Sequence, residues 1–216
     1  MHIYGSTASP FVQRVLMAAR AKGHEIAVKP PLGGQMQSPE FQAISPMGRV
    51  PVLALDDGGH LCESAAIVGY FDDTLDGPAL LPTDPLARAR TRELVSLAIG
   101  EVGVGLRPLM VHLVFRMGDA PDVVAAARAT IEKGLDAIEK LIPDAPATTP
   151  TPADCALVPI LALARIIDPM AGTWERVKAH PRVAHYFERA LEHPIARRTI
   201  DEMEAGFAAI MARNAG

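Results

Sequence analysis

Two serines of this 216-residue chain stand where a helix begins, and their hydroxyls suit the binding of an anion. Ser9 is followed by Pro10 and then by a helical apolar pattern, which is typical of an N-cap. A hydroxyl donor at the positive end of a helix stabilises a bound anion. Ser64 follows Glu63, and it offers its hydroxyl and the first N–H groups of the next helix to a carboxylate. From spacing alone, simple capping explains Ser9 better, because Ser-Pro is a common helix start.

Other polar residues suggest structural roles. Thr151 and Asp154 stand three apart ahead of an apolar run, which is the spacing of a capping box. Cys62 and Cys155 are far apart and have no metal-type spacing, and the seven histidines form no ligand cluster. We therefore expect no metal, and two cysteines in a chain of this length favour a reducing compartment.

The composition excludes several classes of function. Hydrophobic residues make up 49% and charged residues 21%, which is ordinary for a globular protein. The net charge is -4, without the basic run that nucleic acid or an anionic membrane would require. No signal peptide or uninterrupted apolar span is recognisable, so we expect a cytoplasmic protein.

Strand and helix patterns alternate over the first third of the chain. The predicted order is β-α-β, a loop or helix, then β-β-α, with a hairpin turn at residues 56–59. From Leu86 onward only helical periodicity remains, and the proline-rich connection before it is interpreted as a linker. We therefore predict an α/β thioredoxin-like domain over residues 1–77, a linker over 78–85 and an all-helical domain over 86–216. Within the first long helical pattern, Gly100, Gly103, Gly105 and Pro108 predict a bend or close packing.

Four segments together resemble the cytosolic glutathione transferase family. Residues 9–15 (SPFVQRV) are similar to the active-site turn of its serine- or cysteine-type members, and residues 45–53 (SPMGRVPVL) to its N-P-x-G-x-V-P-x-L segment. Residues 63–67 (ESAAI) resemble a helix start of the same domain, and residues 151–156 (TPADCA) the capping motif of the helical domain. The family order and spacing are kept over nearly the whole chain.

The resemblance implies a glutathione site. Ser9 is then the group that holds the glutathione thiol as thiolate, with Tyr4 as the second candidate. The family's bond before Pro51 is cis and presents the backbone of Val50 to the cysteinyl part of glutathione. Further glutathione contacts are expected from the residues Phe11, Arg49, Glu63 and Ser64. Thr151 and Asp154 are structural.

The resemblance also implies an activity. We expect a homodimeric enzyme, associated with detoxification, that transfers the glutathione thiolate to an electrophilic, mostly apolar small molecule. That second substrate would lie against the long helix, near Val104, Pro108 and His112. One alternative is a glutathione-dependent cis–trans isomerase resembling maleylacetoacetate isomerase. The other is a non-catalytic ligand-binding stress protein, favoured only by Met36, which stands where many members carry a basic or polar side chain.

Overall fold

The N-terminal part is built on a four-stranded mixed sheet. The computed structural model describes residues 1–214. The strand order is β2-β1-β3-β4, with β1 parallel to β2, and with β3 antiparallel to both β1 and β4. The strands are short: β1 His2–Tyr4, β2 Ala27–Lys29, β3 Val52–Ala54 and β4 His60–Cys62.

Helices α1 (Pro10–Ala21) and α3 (Ser64–Thr74) pack together beside this sheet. Ile3, on β1, is fully buried in the same core. Helix α1 is buried on almost every side, because it also packs against the helical half of the chain. The helix ends near Gly23, whose φ of 85° is unstrained only in glycine.

The segment between β2 and β3 contains more structure than a loop. A single 3₁₀ turn at Leu32–Gly34 is followed by helix α2 (Pro39–Gln42), which Ser38 caps by accepting a hydrogen bond from the Phe41 N–H. Phe41 is fully buried and meets Tyr4 edge to face. The sequence left a loop or a helix open here, and a short helix forms.

The remainder of the described chain is helical, as predicted. Its helices are α4 Pro85–Leu97, α5 Val104–Leu109, α6 Pro121–Leu141, α7 Pro152–Ile166, α8 Asp168–Ala171, α9 Trp174–Lys178, α10 Pro181–Ala190 and α11 Pro194–Asn214. The single turn α8 was not foreseen, and Gly172 ends it in the left-handed conformation.

A π-helical turn at 98–103 joins α4 to α5, and a second at 110–114 extends α5, so that one long helical stretch results. The sequence predicted a bend or close packing here, and the close packing is confirmed. A Cβ at Gly105 would lie 2.9 Å from the Ala127 carbonyl oxygen of α6. By length and composition this stretch, Pro85–Val114, qualifies as a membrane span, but core helices of soluble proteins do so too, and it packs on α6 and α7.

The two halves of the chain share one continuous apolar core. Helix α1 contacts both α7 and α11. At its C-terminal end, Arg20 donates to both carboxylate oxygens of Glu202 on α11, at 2.8 and 2.7 Å. Arg198 bridges Glu202 and Glu25, so charged groups on α1, α11 and the loop before β2 form one ion-pair network.

Candidate active site

Ser9 lies at the N-cap of α1 with its hydroxyl free to donate. Its Oγ accepts a long hydrogen bond of 3.4 Å from the Val12 N–H, and its backbone is extended. The residue is only half-buried. Because the oxygen is the acceptor in the cap, the hydroxyl proton remains available for a ligand. Capping and anion binding are therefore compatible in one side chain.

Helix α11 fixes the turn that leads into Ser9. A Cβ added at Gly206 would stand 2.6 Å from Thr7 Oγ1 and 2.7 Å from the Ala8 nitrogen, so only glycine permits this approach. Gln13, fully buried, donates to the Thr7 carbonyl oxygen at 3.0 Å and to Glu202 at 3.2 Å. The conformation before Ser9 thus depends on contacts from the C-terminal helix.

The loop before β3 is fastened by Ser45. Its buried hydroxyl accepts from the Arg49 N–H at 2.9 Å and donates to the Arg49 carbonyl at 2.8 Å. The following bond, Val50–Pro51, is cis, as the resemblance implied. Apart from the bonds inside helices and strands, no backbone hydrogen bond of residues 1–214 involves the N–H or the C=O of Val50. The Val50 peptide groups are thus open to strand-like pairing, and the Arg49 side chain is exposed.

Glu63 and Ser64 form the start of α3. Glu63 has a φ of 66° and a ψ of 114°, an unfavourable backbone conformation for a residue with a side chain, and it is exposed. Ser64 is 6% exposed, and its Oγ accepts a 3.2 Å hydrogen bond from Arg14 Nη1. Arg14 is 3% exposed, and burial lowers the pKa of its guanidinium. A buried cation therefore lies directly behind the Ser64 hydroxyl.

Tyr4 and Phe11 occupy different surroundings. The Tyr4 ring contacts His2 and Phe41, which lie on the α2 side of the sheet. Phe11 is half-buried and faces the long helix, since a Cβ at Gly103 would lie 3.6 Å from its ring. Phe11 stands two residues after Ser9, so it adjoins the Ser9 turn in sequence.

The predicted second-substrate residues lie on α5 and the π turn after it. Val104 is 57% exposed, Pro108 is half-buried, and His112 Nδ1 lies 3.1 Å from the Gly118 carbonyl oxygen. The side of the long helix that contacts Phe11 is the one that carries Gly103, the residue before Val104. The π turns alter the register of this helix, so ideal helical spacing does not fix which side chains face the site.

Thr151 and Asp154 make a capping box at the start of α7. The Asp154 carboxylate accepts from the Thr151 N–H and hydroxyl, each at 2.7 Å, and the Thr151 hydroxyl receives the Asp154 N–H. The buried Tyr186 hydroxyl donates to the second carboxylate oxygen at 2.5 Å. Burial, reinforced by this carboxylate, raises the pKa of Tyr186. All of these bonds stabilise the fold, and none points to a ligand.

Neither cysteine is set up as a nucleophile. Burial raises the pKa of Cys155, and burial followed by the charge of Glu63 raises that of Cys62. Among residues 1–214, no group of three or more His, Cys, Asp or Glu side chains is placed to hold a metal ion.

Sequence reasoning assigned no contact to three residues that support the site, namely Arg14, Ser45 and Gly206. Arg14 bonds to Ser64, 50 residues away, and Ser45 bonds to Arg49 only because the loop folds back on itself. The role of Gly206 is the close packing of α11 on the Ser9 turn. A helix glycine with no capping role was the one available signal for Gly206.

Comparison with known proteins identifies the family. Residues 3–79 match the model of the glutathione S-transferase N-terminal domain, and residues 121–189 match that of its C-terminal domain. The chain is 34% identical over 207 residues to the maleylacetoacetate isomerase of Pseudomonas aeruginosa, covering 90% of this chain and 92% of that protein. The chain belongs to the glutathione transferase family. The predicted family and fold class are thereby confirmed.

Solved structures of glutathione transferases share the fold. A maleylacetoacetate isomerase from Methylobacterium extorquens AM1, with bound malonate and glutathione, is 25% identical with a TM-score of 0.75; the match covers 94% of this chain and 97% of that one. A glutathione transferase from Methylobacillus flagellatus with glutathione bound is 21% identical with a TM-score of 0.76, over 92% and 98% of the two chains. The second likeness concerns the fold alone.

Proposed function

We propose that this glutathione transferase is a glutathione-dependent cis–trans isomerase in which Ser9 holds the glutathione thiol as thiolate. The observation that carries the reaction class is the 34% identity, over 90% of the chain, to the isomerase of Pseudomonas aeruginosa. Three groups support this proposal. The Ser9 hydroxyl at the start of α1 is a hydrogen-bond donor for the thiolate, and the Ser64 hydroxyl is one for a ligand carboxylate. The open peptide groups of Val50 offer strand-like pairing to the backbone of glutathione.

The chemistry requires no further cofactor. The thiolate adds to one carbon of a cis double bond conjugated with a carbonyl, and the electron pair of the π bond moves onto the carbonyl oxygen. The former double bond is now single and rotates. Expulsion of the thiolate restores the double bond in the trans form and regenerates glutathione. Ser9 serves both steps by stabilising the thiolate as nucleophile and as leaving group.

Conjugation is the second candidate. In that reaction the adduct is protonated, or a leaving group departs, and glutathione is consumed. The half-buried ring of Phe11, which faces the long helix, favours an apolar electrophile. Both reactions share the thiolate and differ only in whether the carbon–sulfur bond breaks again.

One experiment separates the two reactions. Maleylacetoacetate is incubated with the protein and a tenfold smaller amount of glutathione, while vinyl protons are followed by NMR and free thiol by titration. Isomerisation converts all the substrate and leaves the thiol unchanged, whereas conjugation stops when the thiol is exhausted. Glutathione binding without either reaction would refute both and favour a ligand-binding protein.

The role of Ser9 is tested on the bound thiol. A charge-assisted hydrogen bond contributes about 1.5–3 kcal/mol, so Ser9→Ala should raise the pKa of the bound thiol by roughly 1–2 units. Tyr4→Phe is the matched control, since it also removes one hydroxyl, and it should leave that pKa unchanged. The reverse result would transfer the role to Tyr4.

A homodimer in the cytoplasm completes the proposal. The family resemblance is the basis for a second copy of the chain. Met47 and Leu86 are large apolar side chains that are 63% and 65% exposed, and we take them as candidate contacts with that copy. Light scattering on Met47→Glu should show a weaker dimer than the wild type, and an unchanged dimer would contradict a role for Met47.

A further inference from the structure

Arg14 is a buried cation whose charge no carboxylate of the described chain offsets. The residue is 3% exposed, and the one hydrogen bond that its side chain makes within residues 1–214 is the bond to Ser64. Its Nε is buried without a partner. The other nearby ionisable group is the Cys155 thiol, and burial raises its pKa, so it stays neutral. An uncompensated buried charge costs several kcal/mol.

Arg20, on the same helix, shows the usual solution. Its side chain is 7% exposed, and Glu202 of α11 neutralises it through two short hydrogen bonds. The contrast between the two arginines suggests that the anion for Arg14 comes from outside the described chain.

The hydrogen bond to Ser64 determines where that anion binds. A guanidinium has five N–H donors and no acceptor, so Ser64 Oγ must be the acceptor in this bond. The single hydroxyl proton of Ser64 is therefore directed away from Arg14. Ser64 is also the first residue of the 11-residue helix α3, whose N-terminus favours negative charge. The Ser64 hydroxyl proton, the N-terminus of α3 and the buried Arg14 cation therefore all favour an anion at the same place.

We propose that Arg14 is a positioning residue for glutathione, which orients the Ser64 hydroxyl toward the α-carboxylate of the γ-glutamyl group and supplies the countercharge for it. This inference rests on the proposed use of glutathione. The thiol end of the ligand, at Ser9, does not depend on it. Glutathione binding then completes an electrostatic pairing that the free protein lacks.

The proposal makes two predictions that a structural role does not share. First, replacing Arg14 removes an uncompensated charge, so Arg14→Met should be at least as stable as the wild type without ligand. Second, the loss of affinity should concern the α-carboxylate alone. A structural arginine would instead lower stability and weaken all ligands alike.

The test is a binding cycle between protein and ligand variants. Calorimetry compares glutathione with γ-aminobutanoyl-cysteinyl-glycine, which lacks only the α-carboxylate, on wild type, Arg14→Met and Arg20→Met. We expect the wild type and Arg20→Met to prefer glutathione by about ten- to a hundredfold, as a charge-assisted hydrogen bond implies. Arg14→Met should bind the two ligands within about threefold of each other.

Thermal unfolding without ligand accompanies each variant. Arg20→Met should melt lower than the wild type, and Arg14→Met should not. An Arg14→Met variant that does not fold would contradict the expected stability and indicate a structural role for Arg14. Arg14→Gln would then test the ligand preference by itself, and its preference for glutathione should still fall. An unchanged preference in a folded Arg14 variant overturns the inference while the proposed function stands. Absence of glutathione binding by the wild type overturns both.

Discussion

Replacing Gly206 with alanine tests whether helix α11 determines the geometry of the Ser9 turn. The new Cβ would lie 2.6 Å from Thr7 Oγ1 and 2.7 Å from the Ala8 nitrogen, and the second of these atoms belongs to the backbone. A side-chain rotation cannot relieve that contact. Either α11 moves away or residues 7 and 8 shift, and Ser9 follows them in the chain.

The expected cost follows from two opposing effects. Overpacking of this kind costs about 1–3 kcal/mol. Alanine favours a helix interior over glycine by about 1 kcal/mol, so the net loss is about 0–2 kcal/mol. Gly69→Ala is the matched control, because Gly69 lies inside α3 and a Cβ there meets nothing within 4 Å. Gly69→Ala should gain stability, which separates the two variants by about 1–3 kcal/mol, or roughly 2–12 °C in melting temperature.

Two assays on the same samples complete the test. Differential scanning calorimetry measures stability, and thiolate absorbance against pH measures the pKa of bound glutathione. In Gly206→Ala that pKa should move part of the way toward its value in free glutathione, by less than in Ser9→Ala. Gly206→Ala with the stability and thiol pKa of Gly69→Ala would show that the close approach of α11 has no influence on the site.

Three further predictions concern the supports of the site. Burial alone would raise the pKa of Glu202, but the hydrogen bonds from Arg20 and Arg198 outweigh it and lower that pKa, so its stabilisation is present above the ordinary glutamate pKa and is lost as the pH falls through the lowered pKa; Glu202→Gln should unfold more easily than wild type in urea at pH 7, and this difference should shrink as the pH is lowered below about 4. Ser45→Ala should cost about 1 kcal/mol in stability and weaken glutathione several-fold by calorimetry, whereas Ser96→Ala, an exposed control, should not. Asp154→Asn should cost about 1–3 kcal/mol in urea denaturation and leave turnover per folded enzyme unchanged.

Local signals in the sequence were sufficient for most of the fold. Ser9 with Pro10 and Thr151 with Asp154 marked two helix starts, because a cap and its partners lie within one turn of chain. The two π turns, 98–103 and 110–114, were foreseen only as a bend or close packing. The first turn packs against α6 and α7 and the second against α8, and no local sequence pattern contains these contacts.

The parts of the candidate site that depend on residues close in sequence were predictable, and the contacts between residues far apart in sequence were not. Ser64 was selected from its place at a helix start, but its bond to Arg14 joins residues 50 apart. Ser45 stood in a recognised segment, and only the folded loop brings its hydroxyl to both the N–H and the C=O of Arg49. Such contacts arise from tertiary packing, and no local pattern in a single sequence shows which distant residues will meet.

Helix α1 packs against both halves of the chain, and this has a consequence for how the chain unfolds. Its apolar side chains enter one core that runs from Ile3 on β1 to Leu161 on α7. A chain without its helical half would expose the α1 surface that packs on α7 and α11, and an exchange of helical halves between relatives would need a rematched α1 surface. Heat or denaturant should therefore melt both halves in a single transition.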